Sequence, residues 1–141
     1  MGKLLLFLKK KFKWDRCLSK TLITKKIKGD MAEKIAADFL KKQGLRLLQS
    51  QFRTRLGEID LIMQDDVTLV FVEVRFRSNT TYRSPEESID GRKQKRIIHA
   101  AYAYLSRKKL SEDTTPCRFD VLALSGSLNK PNITWIKDAF E

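Results

Sequence analysis

The stretch GEIDLIMQDDVTLVFVEVRFR, residues 57–77, constrains the fold of this chain more than any other segment. It holds two runs rich in Val, Ile, Leu and Phe, at 57–64 and 67–76, which are separated only by Asp65 and Asp66. Two such runs joined by a tight polar connection predict an antiparallel β-hairpin. The segment is therefore expected to form two paired strands.

Hydrophobic periodicity places the remaining elements, because apolar repeats every three to four residues indicate helices and alternating runs indicate strands. The expected elements are a helix at 29–44, a strand at 45–52, a helix at 91–109, and strands at 117–125 and 132–140. A helical turn is an alternative for the last residues of the final strand. SPEESID predicts that a helix starts at Ser84. The order α-β-β-β-α-β-β predicts one α/β domain with a mixed sheet flanked by helices.

The first helix has recognisable end signals. Asp30 is expected to be its N-cap, Glu33 stands where the acid of a capping box would be, and Gly44 is expected to close it. The apolar face is expected to consist of Ile35, Ala36, Phe39 and Leu40. Glu33 therefore has a structural interpretation, as part of a cap, which must be weighed against any role in a site.

Charge divides the chain into an arm and a body. The formal net charge is +12, with 29 Lys and Arg against 17 Asp and Glu, and such a basic chain is expected to meet a polyanion. Residues 1–28 carry ten basic residues and one acid, whereas residues 29–141 are nearly balanced. The arm could bind nucleic acid, lie on a membrane surface or be a poorly ordered extension. Its apolar run, Leu4–Leu8, is far shorter than the ~20 residues of a membrane span.

The cysteines, the histidine and Asp120 limit the kinds of functional site that the sequence supports. Cys17 and Cys117 provide neither a disulfide framework nor metal-ligand spacing, so a reducing, cytoplasmic compartment is expected, with Cys117 as a small core residue. His99 is the only histidine and is expected at the surface or the edge of the core; a hydrolase triad is unsupported. Asp120 is expected to be structural, pairing with Arg118 or with a helix N-terminus. No Gly-rich phosphate loop is present.

The acidic residues of the hairpin are its unusual feature. Side chains alternate between faces along a strand, so Glu58 and Asp60 share one face, with Ile59 and Leu61 on the other. A turn centred on Asp65 and Asp66 would place Glu58 opposite Glu73 and leave Asp60 diagonal to Glu73.

Clustered carboxylates repel one another unless a positive charge lies between them, and that charge would be an arginine or a divalent cation. Carboxylates with room for water suit Mg²⁺ or Mn²⁺. Such an ion could lower the pKa of a bound water and stabilise charge on a phosphate, while Arg75 could hold the scissile phosphate. The plainer interpretation is a solvated strand face with cross-strand Glu–Arg pairs.

The motifs also resemble a known family when they are taken together. Gly29-x-x-x-Glu33-x-x-Ala36, GEIDLI, FVEVR-x-Arg77, Lys93-Gln94, RFDV and WIKDAF occur in the order and spacing of the YraN family, over residues 29–140. That family resembles restriction endonucleases and archaeal Holliday-junction resolvases in fold. The resemblance covers the body of the chain and leaves the basic arm out.

The resemblance implies a PD-(D/E)xK-type nuclease core with Mg²⁺ or Mn²⁺ as its cofactor. Asp60 and Glu73 would be metal-binding catalytic acids, and Arg75 would occupy the lysine position of the (D/E)xK triplet. Glu33 and Glu58 would complete the metal site. The residues expected to approach nucleic acid are Arg77, Arg92, Lys93, Gln94 and Lys95. Arg92 and Lys93 at a helix start oppose the helix dipole, and a bound phosphate would resolve that conflict.

One departure from the pattern leaves the activity open. Arginine is always protonated in proteins, so Arg75 cannot act as a general base, although it could stabilise charge.

The first hypothesis is a metal-dependent DNA endonuclease, with branched or junction DNA as a candidate substrate. The second is a catalytically weak or silent nucleic-acid-binding protein, and the third is a membrane-surface or protein-interaction adaptor that uses residues 1–28. A homodimer is an expectation from the resolvases, but no interface is recognisable in the sequence.

Overall fold

The computed structural model describes residues 24–78 and 89–141. The chain divides into two compact units, Met1–Met31 and Ala32–Glu141. In the first unit, the described residues 24–31 are helical and exposed. Most of the arm predicted at 1–28, together with Cys17 and the helix start predicted at Ser84, lies outside the described residues.

The second unit contains a five-stranded mixed sheet and two helices. Its strands are β1 (Arg46–Arg53), β2 (Glu58–Asp65), β3 (Thr68–Arg77), β4 (Cys117–Ser125) and β5 (Asn132–Phe140). Their order in the sheet follows the chain, and all neighbours are antiparallel except β3 and β4, which are parallel. Within this unit, helix α1 comprises the helical residues 32–42, and helix α2 covers Gly91–Arg107. The predicted fold class and element order are confirmed.

The helices bury opposite faces of the sheet. Ala32, Ala36 and Leu40 of α1 pack with Met63 and Val72 in one core. The second core contains residues of α2 and the strand residues that point to the other face of the sheet; it includes Ile62, Phe71, Ile97, Ala101 and Tyr104. Ile97, Ala101, Tyr104 and Leu105 recur at helical spacing and form the buried stripe of α2. No described helix is both long and apolar enough to cross a bilayer.

The end of the first helix was predicted correctly, but its beginning was not. Gly44 has a φ of +97°, and Leu45 donates to the carbonyl of Leu40, which is the geometry of a glycine-terminated helix. Helical residues continue without a break from 24 to 42, so Asp30 lies inside the helix and is not its N-cap. The capping interpretation of Glu33 is wrong for the same reason.

The hairpin register differs from the prediction by two residues. Asp65 pairs with Thr68, so the turn consists of Asp66 and Val67 rather than Asp65 and Asp66. Asp66 adopts a φ of +53°, which Asp tolerates better than most residues. The ladder ends at Leu61 and Val72. Asp60 and Glu73 therefore lie next to this last pair, and the predicted position of Glu58 opposite Glu73 is wrong.

Asp120 is structural, as predicted. Its side chain is fully buried and accepts hydrogen bonds from Arg118 Nε at 3.1 and 3.3 Å, from Trp135 Nε1 at 2.9 Å and from the backbone N–H of Asp138 at 3.0 Å. Asp138 has a φ of +51° where the pairing of β4 and β5 shifts, and β5 remains a strand to Phe140. The helical turn considered for these residues is absent from β5.

The structure also tests the positions predicted for Cys117 and His99. Cys117 is exposed at the start of β4, where its Sγ donates to the carbonyl of Thr115, so its prediction as a core residue is wrong. It is the first residue of its strand and lies outside both buried clusters. His99 is exposed on α2, as predicted.

Candidate active site

Asp60 lies where β2 separates from β3. Ile59 belongs to the core beneath α2 and Leu61 to the core beneath α1, so the expected shared face of these two residues is wrong. The alternation breaks at Asp60, beside Gln51 of β1, whose φ is +50°. Asp60 Oδ2 accepts the backbone N–H of Val74 at 2.8 Å. This contact fixes the carboxylate next to Glu73.

Glu73 is a buried acid with one satisfied oxygen and one unsatisfied oxygen. The residue is 3% exposed on β3. Its Oε1 contacts Lys93 Nζ of α2 and lies 3.3 Å from Arg75 Nε. Its Oε2 is buried and has no hydrogen-bond partner. Because an unpaired buried carboxylate oxygen is costly, this atom indicates a place where a positive ligand would be stabilised.

The pKa of Asp60 is raised from 3.8 to about 8. The largest cause is burial, which disfavours the charged form, followed by the negative charge of Glu73. The hydrogen bond from Val74 and the charge of Lys93 lower the pKa, and the charge of Glu33 raises it further. The pKa of Asp60 therefore responds to a negative charge on α1 and to a positive charge on α2.

Glu33 approaches this pair from α1. Gln51 Nε2 donates to Glu33 Oε2 at 3.0 Å, which joins the helix to β1. Glu33 is half-buried, and its charge acts on Asp60. The structure thus brings Glu33, Asp60 and Glu73 to one end of the sheet.

Glu58 does not join the other acids. Its side chain is 55% exposed and forms a surface ion pair with Arg53 at 3.7 Å. It lines a cavity of about 340 Å³ at the start of α2, together with Asp90, Arg92, Lys93, Arg96 and Ile97. The predicted set of four carboxylates is not assembled: across residues 24–78 and 89–141, no three His, Cys, Asp or Glu side chains converge closely enough to form a metal site unaided.

The residues present nevertheless fit a hard divalent cation held by two acids. Asp60 and Glu73 offer carboxylate oxygens, and one of these oxygens is buried without a partner. Mg²⁺ is commonly held by one or two carboxylates, with water and substrate phosphate completing its coordination. Mn²⁺ prefers the same oxygen ligands.

A glycine contact positions α2 over the site. A Cβ at Gly57 would lie 2.1 Å from the carbonyl oxygen of Arg96, so only glycine lets β2 approach the helix backbone this closely. At the helix start, Asp90 caps α2 by accepting the backbone N–H of Lys93 at 2.9 Å. Together these contacts fix the position of Lys93 above Glu73.

The remaining residues predicted to bind nucleic acid lie around this helix start and at the end of β3. Arg77, Arg92 and Lys95 are exposed. Gln94 is half-buried, and its side-chain amide donates to the carbonyl of Ile89. Lys93 was predicted only to approach phosphate, so its contact with Glu73 is new.

Sequence reasoning missed two residues that shape the site. Gln51 lies in a strand of moderate hydrophobic pattern, and nothing in a single sequence marks its bond to Glu33. Gly57 was noted only as part of GEIDLI, since a glycine before a strand is usually taken for a turn residue. Its contact with Arg96 depends on packing between elements distant in the chain.

Comparisons with known proteins identify relatives of this chain. The model of the uncharacterised protein family UPF0102 matches residues 32–124. A UPF0102 protein of Colwellia psychrerythraea is 41% identical over 127 residues, covering 90% of this chain and 98% of its own length. One from Pseudomonas putida is 49% identical over 115 residues, covering 80% and 92% respectively. The UPF0102 protein YraN of Salmonella arizonae is 44% identical over 118 residues, covering 84% and 87%. The chain therefore belongs to the UPF0102 family, which includes YraN.

Proposed function

We propose that this protein is a Mg²⁺- or Mn²⁺-dependent nuclease that hydrolyses phosphodiester bonds in DNA. The observation that carries the proposal is the buried Glu73, whose Oε2 has no partner and whose neighbour Asp60 has a pKa raised to about 8. Lys93 and Arg75 contact only Oε1 of Glu73, so Oε2 and the neighbouring Asp60 form a buried acidic pair that a metal ion would stabilise. Strongly perturbed acids of this kind are concentrated at functional sites.

Asp60 and Glu73 would hold the metal ion. When bound, the ion would supply positive charge that lowers the pKa of a water molecule and neutralises a phosphate oxygen. Glu33 would bind through water, since Gln51 already restrains its carboxylate on α1. Glu58 is left out of this assignment because it lies at the surface with Arg53.

The reaction would be hydrolysis with one water molecule. The water oxygen forms a bond to phosphorus, the bond from phosphorus to one sugar oxygen breaks, and that oxygen leaves with its electron pair. One water proton passes to solvent, and the leaving oxygen takes up a proton from solvent. Positive charge beside Glu73 Oε1 would stabilise the phosphate as it becomes more negative.

Basic residues beside the site would hold the nucleic-acid backbone. Arg77, Arg92 and Lys95 are exposed around the end of β3 and the start of α2, where they could contact phosphates. Branched or junction DNA is the candidate substrate by similarity to resolvases. A two-fold junction would suit a homodimer. Chromosomal DNA as substrate would also agree with a cytoplasmic location.

A cleavage assay with a matched control tests the proposal. Four-way junction, flap, duplex and single-stranded DNA would be incubated with Mn²⁺, using the wild type, Asp60→Asn and Glu58→Gln. We expect cleavage by the wild type, a loss of at least about 100-fold in Asp60→Asn, and little change in Glu58→Gln. Equal cleavage by wild type and Asp60→Asn would contradict the proposed site, and no cleavage of any substrate by the wild type would contradict the proposed activity.

A second candidate function is nucleic-acid binding without catalysis. It is favoured by Arg75, which occupies the position of the motif lysine and cannot accept a proton. In that case the wild type and Asp60→Asn would bind DNA equally and neither would cleave it. The salt dependence of binding would be steep in both cases, since phosphate contacts release counterions.

A further inference from the structure

The triplet Glu73-Val74-Arg75 of β3 ends in arginine where the (D/E)xK pattern has lysine, but a lysine reaches the site from α2. Lys93 of α2 places its ammonium on Glu73 Oε1, the same oxygen that Arg75 approaches. We propose that Lys93 is a catalytic residue of the hydrolysis, donating hydrogen bonds to the attacking water and to the phosphate, and that Arg75 is a buried counter-ion of Glu73. This inference rests on the proposed nuclease function and adds a residue to it.

The two cations are exposed to different degrees. The Lys93 side chain is 40% exposed, whereas the Arg75 side chain is 25% exposed and its Nε is buried without a hydrogen bond. A substrate phosphate arriving from solvent would therefore meet the lysine more readily. Lysine carries three donors on a flexible stem. One donor on Glu73 leaves two for water and phosphate.

Lys93 also lies at the acid that would hold the metal ion. Its ammonium contacts Oε1 of Glu73, the residue whose Oε2 is buried without a hydrogen-bond partner. A cation at that position lies close to the place where a water between the acids and a phosphate would be bound. Arg75 follows Glu73 on the same strand, and its described contact is with Glu73 alone.

The backbone of Lys93 is held in place by contacts independent of its side chain. Its N–H donates to Asp90 Oδ1 at 2.9 Å. The absence of a side chain at Gly57 lets β2 pack on the backbone of α2 at Arg96. The lysine is therefore presented to the acids by a fixed helix turn, as a catalytic group must be.

In the reaction step, the ammonium of Lys93 keeps its protons. It donates one hydrogen bond to the water oxygen that forms the new bond to phosphorus and one to a non-bridging phosphate oxygen. The bond from phosphorus to the leaving sugar oxygen breaks with its electron pair moving to that oxygen. The water loses one proton to solvent, and the leaving oxygen gains one from solvent. Fixed charge at a developing anion typically accelerates such a step about 10²–10³-fold.

Single-turnover cleavage in Mn²⁺ tests the proposal with Lys93→Ala, Arg75→Lys and the control Lys42→Ala. Lys42 is an exposed lysine of α1 with no role in the proposed site, so its loss changes net charge equally. We expect Lys93→Ala to cleave at least about 100-fold more slowly, with Arg75→Lys and Lys42→Ala within about tenfold of wild type. Cleavage by Lys93→Ala within tenfold of wild type would overturn the assignment.

Binding measurements separate a catalytic role from a structural one. Mn²⁺ affinity, and DNA affinity measured with Ca²⁺ in place of Mn²⁺, should stay within about threefold of wild type in Lys93→Ala, because the proposed ligands remain. A large loss of Mn²⁺ affinity in folded Lys93→Ala would show a positioning role and overturn the catalytic one. If the wild type cleaves nothing, the nuclease proposal itself fails. If only the Lys93→Ala expectation fails, the nuclease proposal stands.

Discussion

Replacing Asp60 by Asn should make the metal-free protein more stable at alkaline pH. Burial and the charge of Glu73 raise the pKa of Asp60 from 3.8 to about 8 in the folded protein. Between these values the folded chain binds a proton that the unfolded chain has lost, so the free energy of unfolding decreases as pH rises. The contribution is fully present below pH 3.8 and is lost by about pH 8. An Asn at this position resembles the protonated carboxyl at every pH.

The size of the effect follows from the same shift. One pKa unit corresponds to about 1.4 kcal/mol, so a pKa raised from 3.8 to about 8 corresponds to at most about 5–6 kcal/mol. We expect Asp60→Asn to gain about 2–5 kcal/mol at pH 8. The Asn side-chain oxygen can still accept the N–H of Val74, so the variant keeps the hydrogen bond that fixes this position. Near pH 4 the two proteins should be almost equally stable.

Urea denaturation in EDTA, followed by circular dichroism between pH 4 and pH 8.5, measures this difference. Glu58→Gln is the control, because it removes an exposed acid two residues away on the same strand and should follow the wild type. Adding Mn²⁺ should stabilise the wild type and leave Asp60→Asn nearly unchanged. If Asp60→Asn shows the same slope with pH as the wild type, then the carboxyl is not buried beside a second acid and the candidate site is incorrect.

Three further outcomes follow from the packing and the charges. Gly57→Ala should lower the free energy of unfolding by about 1–3 kcal/mol in urea denaturation, because its Cβ would lie 2.1 Å from the carbonyl oxygen of Arg96. Gly29→Ala is the control: its Cβ would meet no atom within 4 Å, and alanine favours the helix, so the free energy of unfolding should rise by about 0.5–1 kcal/mol. Asp120→Ala should cost about 3–5 kcal/mol in the same assay, because it leaves Arg118 Nε, Trp135 Nε1 and the backbone N–H of Asp138 without their buried acceptor. DNA affinity measured by fluorescence anisotropy should fall steeply between 50 and 200 mM salt, and Asp60→Asn should not reduce it, since removing a carboxylate lessens repulsion of phosphate.

The strands and helices were predictable because their patterns are local. The alternation in CRFDVLALS and the stripe containing Ile97 and Tyr104 each indicate an element within one short window. The N-terminal boundary of the first helix was not predictable in this way. Asp30 is a favourable cap, but helical propensity on both sides lets the helix continue through it.

The candidate site was predictable in its residue types but not in its arrangement. A turn moved by one residue changed the register of the hairpin, and a positive φ at Gln51 accompanied the break in alternation at Asp60. Neither follows from hydrophobic pattern, because both depend on how three strands fit together. The contact between Lys93 and Glu73 depends in addition on the packing of α2 over the sheet.

The parallel pairing of β3 and β4 makes the site depend on the longest connection of the sheet. The first three strands are joined by short turns and can pair through contacts close in sequence, which form rapidly. Parallel neighbours require a crossover, and here the crossover contains α2. A nascent chain that ends after β3 would contain Asp60 and Glu73 but not Lys93. The site can therefore be completed only after α2 has been synthesised and has packed on the sheet.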